Sequence, residues 1–155
     1  MELDWTVITA IATIAGVIGG LVSVIFLILE VRRNAQAIEG ATVQSLMSFE
    51  KDVFTLVVNH AQLYLKGSTG LAKLTPTQRL AFDRIVGVQM SLTYSAYVQF
   101  QNHLIDDEVW DAYFNALNKY MQAPGFRESW KGFENNYPKS FRDMVNAGPT
   151  SRILQ

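Results

Sequence analysis

Val7–Leu29 reads VITAIATIAGVIGGLVSVIFLIL, 23 residues without a charge. At a rise of ~1.5 Å per residue this is about 34 Å of helix, enough to cross ~30 Å of hydrocarbon with some tilt. Fourteen of these residues are Ile, Leu, Val or Phe. At roughly −0.3 to −0.6 kcal/mol each they favour insertion by about 4 to 8 kcal/mol. A core helix of a water-soluble domain keeps a polar stripe over six turns, and this one does not. A cleaved secretory signal would start basic and carry a shorter apolar run; here the start holds Glu2 and Asp4, so the expectation is an uncleaved anchor.

The flanks give the anchor a direction. No Lys or Arg precedes the span, whereas Arg32 and Arg33 follow it at once, so the positive-inside rule expects the C-terminal side in the cytoplasm and the N-terminus outside. Trp5 stands where an interfacial aromatic belongs, and Glu30 reads as a solvated or Arg-paired carboxylate at the inner boundary. Within the span, small residues recur every fourth position on two tracks: Ala12, Gly16 and Gly20, and Ala15, Gly19 and Ser23. Such spacing lets helix backbones approach closely in lipid, which points to a homo-oligomer or to docking on other membrane-protein subunits. Thr9 and Thr13 can bond their own backbone and need not line a pore.

Beyond the arginines the helical pattern continues with no Pro before Pro76, so the spanning helix is expected to run on to KGSTG. Gly40 is the expected weak point, at roughly 1 kcal/mol of helix propensity. Leu46, Phe49, Val53, Leu56, His60 and Leu63 alternate three and four apart, a possible interaction face, with Val43, Met47, Phe54, Val57 and Ala61 as a second stripe beside it. Thr75-Pro76 supplies an N-cap and a first-position Pro for a helix to about His103. Asp106, Asp107 and Glu108 cap the next, which contains Trp110, Phe114 and Leu117, and Pro124 and Pro138 open two shorter ones. No period-two alternation is sustained. The expected fold is all-α: residues 1–30 a transmembrane anchor, 31–66 a juxtamembrane long helix, 67–148 the remainder of a bundle of four to five helices, and 149–155 a tail.

The 155 residues carry 13 Lys plus Arg against 14 Asp plus Glu and no Cys. Near-neutral charge argues against nucleic acid as a partner, and the missing thiols exclude disulfides and thiolate metal sites. All 13 basic and 11 of the 14 acidic residues lie beyond residue 30, so the cytoplasmic part is only +2. Lys119, Arg127, Lys131, Lys139 and Arg142 then read as solvated faces. His60 has no acidic or second His partner at helical spacing, and Asp106 and Asp107, three and four residues after His103, are taken up in capping the next helix, so no metal pair is expected; His60 reads as a core or interface histidine and His103 as a helix terminator. No phosphate loop or nucleophile elbow is present, and no cofactor or enzymatic activity is expected.

AIATIAG in the span, LEVRRNAQAI after it, and LIDDEVWDAYFNAL and PGFRESWKGFENNY later resemble an uncharacterised family of small bacterial membrane proteins with one N-terminal spanning helix and a cytoplasmic helical domain. The resemblance implies bacterial origin and that anchor-plus-domain architecture, and it transfers no site residue. The expectation is therefore a non-enzymatic single-pass protein of the bacterial inner membrane, in contact with lipid, that self-associates or serves as an accessory subunit of a larger complex. The alternative is a sensor whose helical domain binds a small ligand, such as a nucleotide, and perturbs the membrane helix. Alkaline carbonate washing of membranes checks the anchor: the intact chain is expected to stay in the pellet, and its release into the supernatant would remove the basis of this reading.

Overall fold

The computed structural model describes residues 5–148; Glu2, Asp4 and the tail 149–155 lie outside the described residues. Six α-helices and no strand are found among the described residues: α1 (Trp5–Asn59), α2 (Ala61–Ser68), α3 (Pro76–Gln101), α4 (Asp107–Tyr120), α5 (Pro124–Phe133) and α6 (Lys139–Ala147). Short 3-10 turns occupy Leu71–Lys73 and Glu134–Asn136. The fold is all-α, with one long apolar N-terminal helix leading into a helical region. The chain divides into two compact units between Gly40 and Ala41, although helical assignment continues through Gly40.

The helix expected to run on to KGSTG is interrupted at His60. Its N–H is shared between the carbonyls of Leu56 and Val57, both at 3.2 Å, and the ladder resumes with the Tyr64 N–H on the His60 carbonyl at 2.9 Å. Asn59 and His60 are both modest helix formers, so a break here costs little propensity. Its consequence is tertiary, because α2 packs against both α3 and α5.

The domain core is organised on α3, which buries Phe82, Ile85, Val86, Met90, Leu92 and Ala96 and touches α2, α4 and α5. Its start is a capping box. Thr75 Oγ1 accepts from the Gln78 N–H at 3.3 Å while Gln78 Oε1 accepts from the Thr75 N–H at 3.2 Å, which satisfies two end groups reciprocally. Its end is a Schellman motif: the His103 N–H bonds the Phe100 carbonyl and the Leu104 N–H bonds that of Gln99, both at 2.9 Å, with His103 at φ 56° in the position that glycine usually holds. Asp106 caps α4 by accepting from the Val109 N–H at 2.8 Å, as the acidic trio implied.

Trp130, Phe82, Phe126 and Phe141 are fully buried, and rings of α3, α4, α5, α6 and of Tyr137 just before α6 meet at 5.1–5.5 Å in pairs such as Tyr94–Phe141, Phe100–Trp110 and Trp130–Tyr137. These are tilted, stacked and edge-on arrangements of the kind that add to area burial. The aromatic side chains of the domain are thus largely taken up in its own core.

One contact has no signature in hydropathy. Where α5 begins, a Cβ on Gly125 would lie 1.8 Å from the Gly67 carbonyl oxygen, and a Cβ on Gly67 would lie 2.3 Å from the Phe82 ring. Backbone therefore meets backbone between α2 and α5. Glu128, one turn further along α5, accepts from the Leu71 N–H at 3.1 Å and ties down the following turn. Gly125→Ala is expected to cost about 1 to 3 kcal/mol through overpacking. Gly132→Ala in the same helix, where an added Cβ meets nothing within 4 Å, is expected to leave stability unchanged or raise it; chemical denaturation of the two variants checks the contrast.

Candidate functional site

The first functional surface is the N-terminal helix. Residues 11–40 are exposed throughout, including apolar side chains such as Ile18, Leu21, Phe26 and Leu27. The helix is long and apolar enough to cross a membrane. Its polar side chains close on their own backbone: Thr9 Oγ1 donates to the Trp5 carbonyl, Thr13 Oγ1 to that of Thr9 and Ser23 Oγ to that of Gly19, each at 2.8 Å. No hydroxyl of these three is left for hydrocarbon to solvate. Ala12, Ala15 and Ser23 are exposed, and a Cβ added at Gly16, Gly19 or Gly20 meets nothing within 4 Å. The two small-residue tracks, offset by three positions, share one side of the helix. Trp5 at the start of α1, and Arg32 and Arg33 just past its apolar stretch, are also exposed.

The C-terminal portion of α1 is used differently from the sequence reading. Leu46 and Val53 are buried in the domain core, Phe49 packs against it and Leu56 is half-buried. His60 is exposed at the helix break rather than set in an apolar face. Of the neighbouring stripe, Met47 and Phe54 stay open, exposed at 64% and 68%, while Val43 packs against the core and Val57 is half-buried.

Behind that stripe lies a cavity of about 560 Å³ walled by α1, α2, α3 and α4. Val53, Val57, Leu92 and Ala116 supply apolar walls; Tyr64, Gln89, Thr93, Tyr113 and Tyr120 supply the polar groups, with Glu50 and Lys51 at exposed positions of α1. Gln89 is only 6% exposed. Its Nε2 reaches the Tyr64 hydroxyl at 3.5 Å, the outer limit of a hydrogen bond, and its Oε1 has no partner in the fold. Thr93 Oγ1 donates to the Gln89 main-chain carbonyl at 3.2 Å and so does not relieve the side chain. Tyr113 donates to Glu50 Oε2 over a long 3.4 Å.

This constellation was not anticipated from the sequence. The available signal was Gln89 itself, a polar residue on the inward side of α3 between Val86 and Met90. The histidines and the basic residues singled out earlier do not converge. Arg127 caps the end of α4 through the carbonyls of Met121 and Gln122 at 2.9 and 3.2 Å, Lys139 pairs with Asp143 one turn on, and Arg142 bonds Asn135. Among the described residues, no group of three acidic or histidine side chains is placed to hold a metal ion.

Burial pushes the Tyr113 phenol up to about 12, with the Glu50 charge and then its hydrogen bond adding to the effect, and burial likewise raises Tyr120, helped by the charges of Tyr64 and Glu50. Because the folded-state value of Tyr113 lies above the ordinary 10, its contribution to stability is complete below pH 10 and is lost as pH rises through about 12. Phenolate absorbance of the native chain minus that of Tyr113→Phe is expected to titrate near pH 12. Glu50→Gln is expected to lower the midpoint while leaving it above 10, since burial is the larger cause. No protein-family profile, curated protein or solved structure matches the chain. The resemblance read from its motifs accordingly contributes only the architecture, one long apolar N-terminal helix and a helical domain.

Proposed function

We propose that the protein is a non-enzymatic, single-pass protein of a bacterial inner membrane that works by association, through a second copy of itself or as an accessory subunit of a larger membrane complex. Residues 7–29 span the bilayer, with the N-terminus outside and the helical domain in the cytoplasm. The carrying observation is the helix surface at 11–30: every side chain is exposed, and the two small-residue tracks face open space. Lipid can solvate the Ile, Leu, Val and Phe side chains as well as a protein can, so the groove is where a second helix gains packing over lipid. The direction of insertion rests on Arg32 and Arg33, which follow the span with no basic residue before it.

The test is the native mass of the full chain extracted gently from its own membrane. A mass above the 17.4 kDa of one chain is expected, falling toward that value when Gly16→Ile and Gly20→Ile are combined, with carbonate resistance unchanged. A lone chain at every concentration, without a co-extracted partner, would overturn the association. Ser140→Cys in this cysteine-free sequence reports orientation. An impermeant maleimide applied to spheroplasts is expected to label it only after lysis.

A further inference from the structure

The cavity behind Met47 and Phe54 belongs wholly to the domain and is independent of how the membrane helix associates. Two of its polar lining residues, Gln89 and Thr93, are buried, and of these the Gln89 amide is the one without a full set of partners. A glutamine side chain can donate two hydrogen bonds and accept two, and side chains as buried as this one are almost always paired. Here the amide makes one bond at the limit of reach, and its oxygen makes none. The Tyr64 hydroxyl, having accepted from Gln89, still has its own proton to give. An unused acceptor and an unused donor therefore stand side by side in the lining of a cavity that is otherwise mostly apolar or aromatic, with Thr93 bonded to the backbone and Glu50 and Lys51 at exposed positions.

We propose that this cavity is a binding site for a small, uncharged, amphipathic molecule with a planar apolar body, which donates an N–H or O–H hydrogen bond to Gln89 Oε1. The 560 Å³ falls in the range of small-molecule sites, roughly 300–1,000 Å³. Ordered water alone is a poor occupant for walls such as Val53, Leu92 and Ala116, because it needs two to four polar partners for each molecule. Tyr64, Tyr113 and Tyr120 in the lining supply aromatic surface, which favours a flat apolar body. The ligand is uncharged because the groups around Gln89 are neutral. A buried charge there would lose its hydration without a counter-ion, since Glu50 and Lys51 are exposed.

The probe pair is 5-fluoroindole, flat and apolar with one N–H donor, and 5-fluoro-1-methylindole, which lacks that donor. Each is titrated by fluorine NMR against the full chain in lipid nanodiscs, with empty discs subtracted. Saturable binding of the indole is expected, with the methylated probe about five- to tenfold weaker, the size of one hydrogen bond to a buried partner. Gln89→Met is expected to weaken the indole by the same factor and to erase the difference between probes. Ala116→Trp, which fills the cavity, is expected to abolish binding of both, with unchanged circular dichroism. Equal binding of the two probes, undiminished binding to Gln89→Met, or no saturable binding beyond empty discs would each overturn the proposal. The probe pair decides on the native chain alone should Gln89→Met fail to fold, and neither readout depends on the chain's oligomeric state.

Discussion

An apolar helix with nothing packed on it is the constraint from which the rest follows. Residues 11–30 present Ile, Leu, Val and Phe on one side and the small residues on the other, and none of this surface is covered by other described residues. In water that arrangement forfeits the main favourable term of folding; in hydrocarbon it costs nothing, provided every backbone and hydroxyl group is satisfied internally. The i to i−4 bonds of Thr9, Thr13 and Ser23 meet that condition. The same helix therefore contributes nothing to a core before Val43, and the residues after Gly40 must close a core with what remains.

They do so with aromatic side chains around α3. A domain of this length buries a smaller fraction of its surface than a large one, and rings bring much area per residue at little conformational entropy. Phe82, Phe126, Trp130 and Phe141 fill the interior, and the Gly67–Gly125 approach lets α2 and α5 come near enough to close over Phe82. Against packing this tight, the cavity lined by α1, α2, α3 and α4 stands out because an amide buried on α3 lacks a partner there.

Much of the fold was legible because its signals are local. Thr75-Pro76 marks the start of α3 and Asp106 that of α4, each through bonds made within three residues, and Pro124 marks that of α5 as a first-position proline without a side-chain cap. The absence of period-two alternation excluded strands. The His60 break was not legible, since neither Asn59 nor His60 is a strong breaker and the helix turns there to meet elements far along the chain. Which of the two apolar stripes on α1 is covered was equally hidden. Leu46 and Val53 face the core and Met47 and Phe54 do not, although hydropathy treats the stripes alike.

What the sequence determined by itself is what depends on composition and short-range spacing: a span of sufficient length, the charge asymmetry around it, the helix starts and the all-α class. Only the tertiary structure decided the close approach of Gly67 to Gly125, the assignment of α1's faces and the assembly of Gln89 with Tyr64, Tyr113 and Glu50. Those residues come from four helices separated by up to 63 positions, and no periodicity within one helix encodes which residue of another will stand opposite.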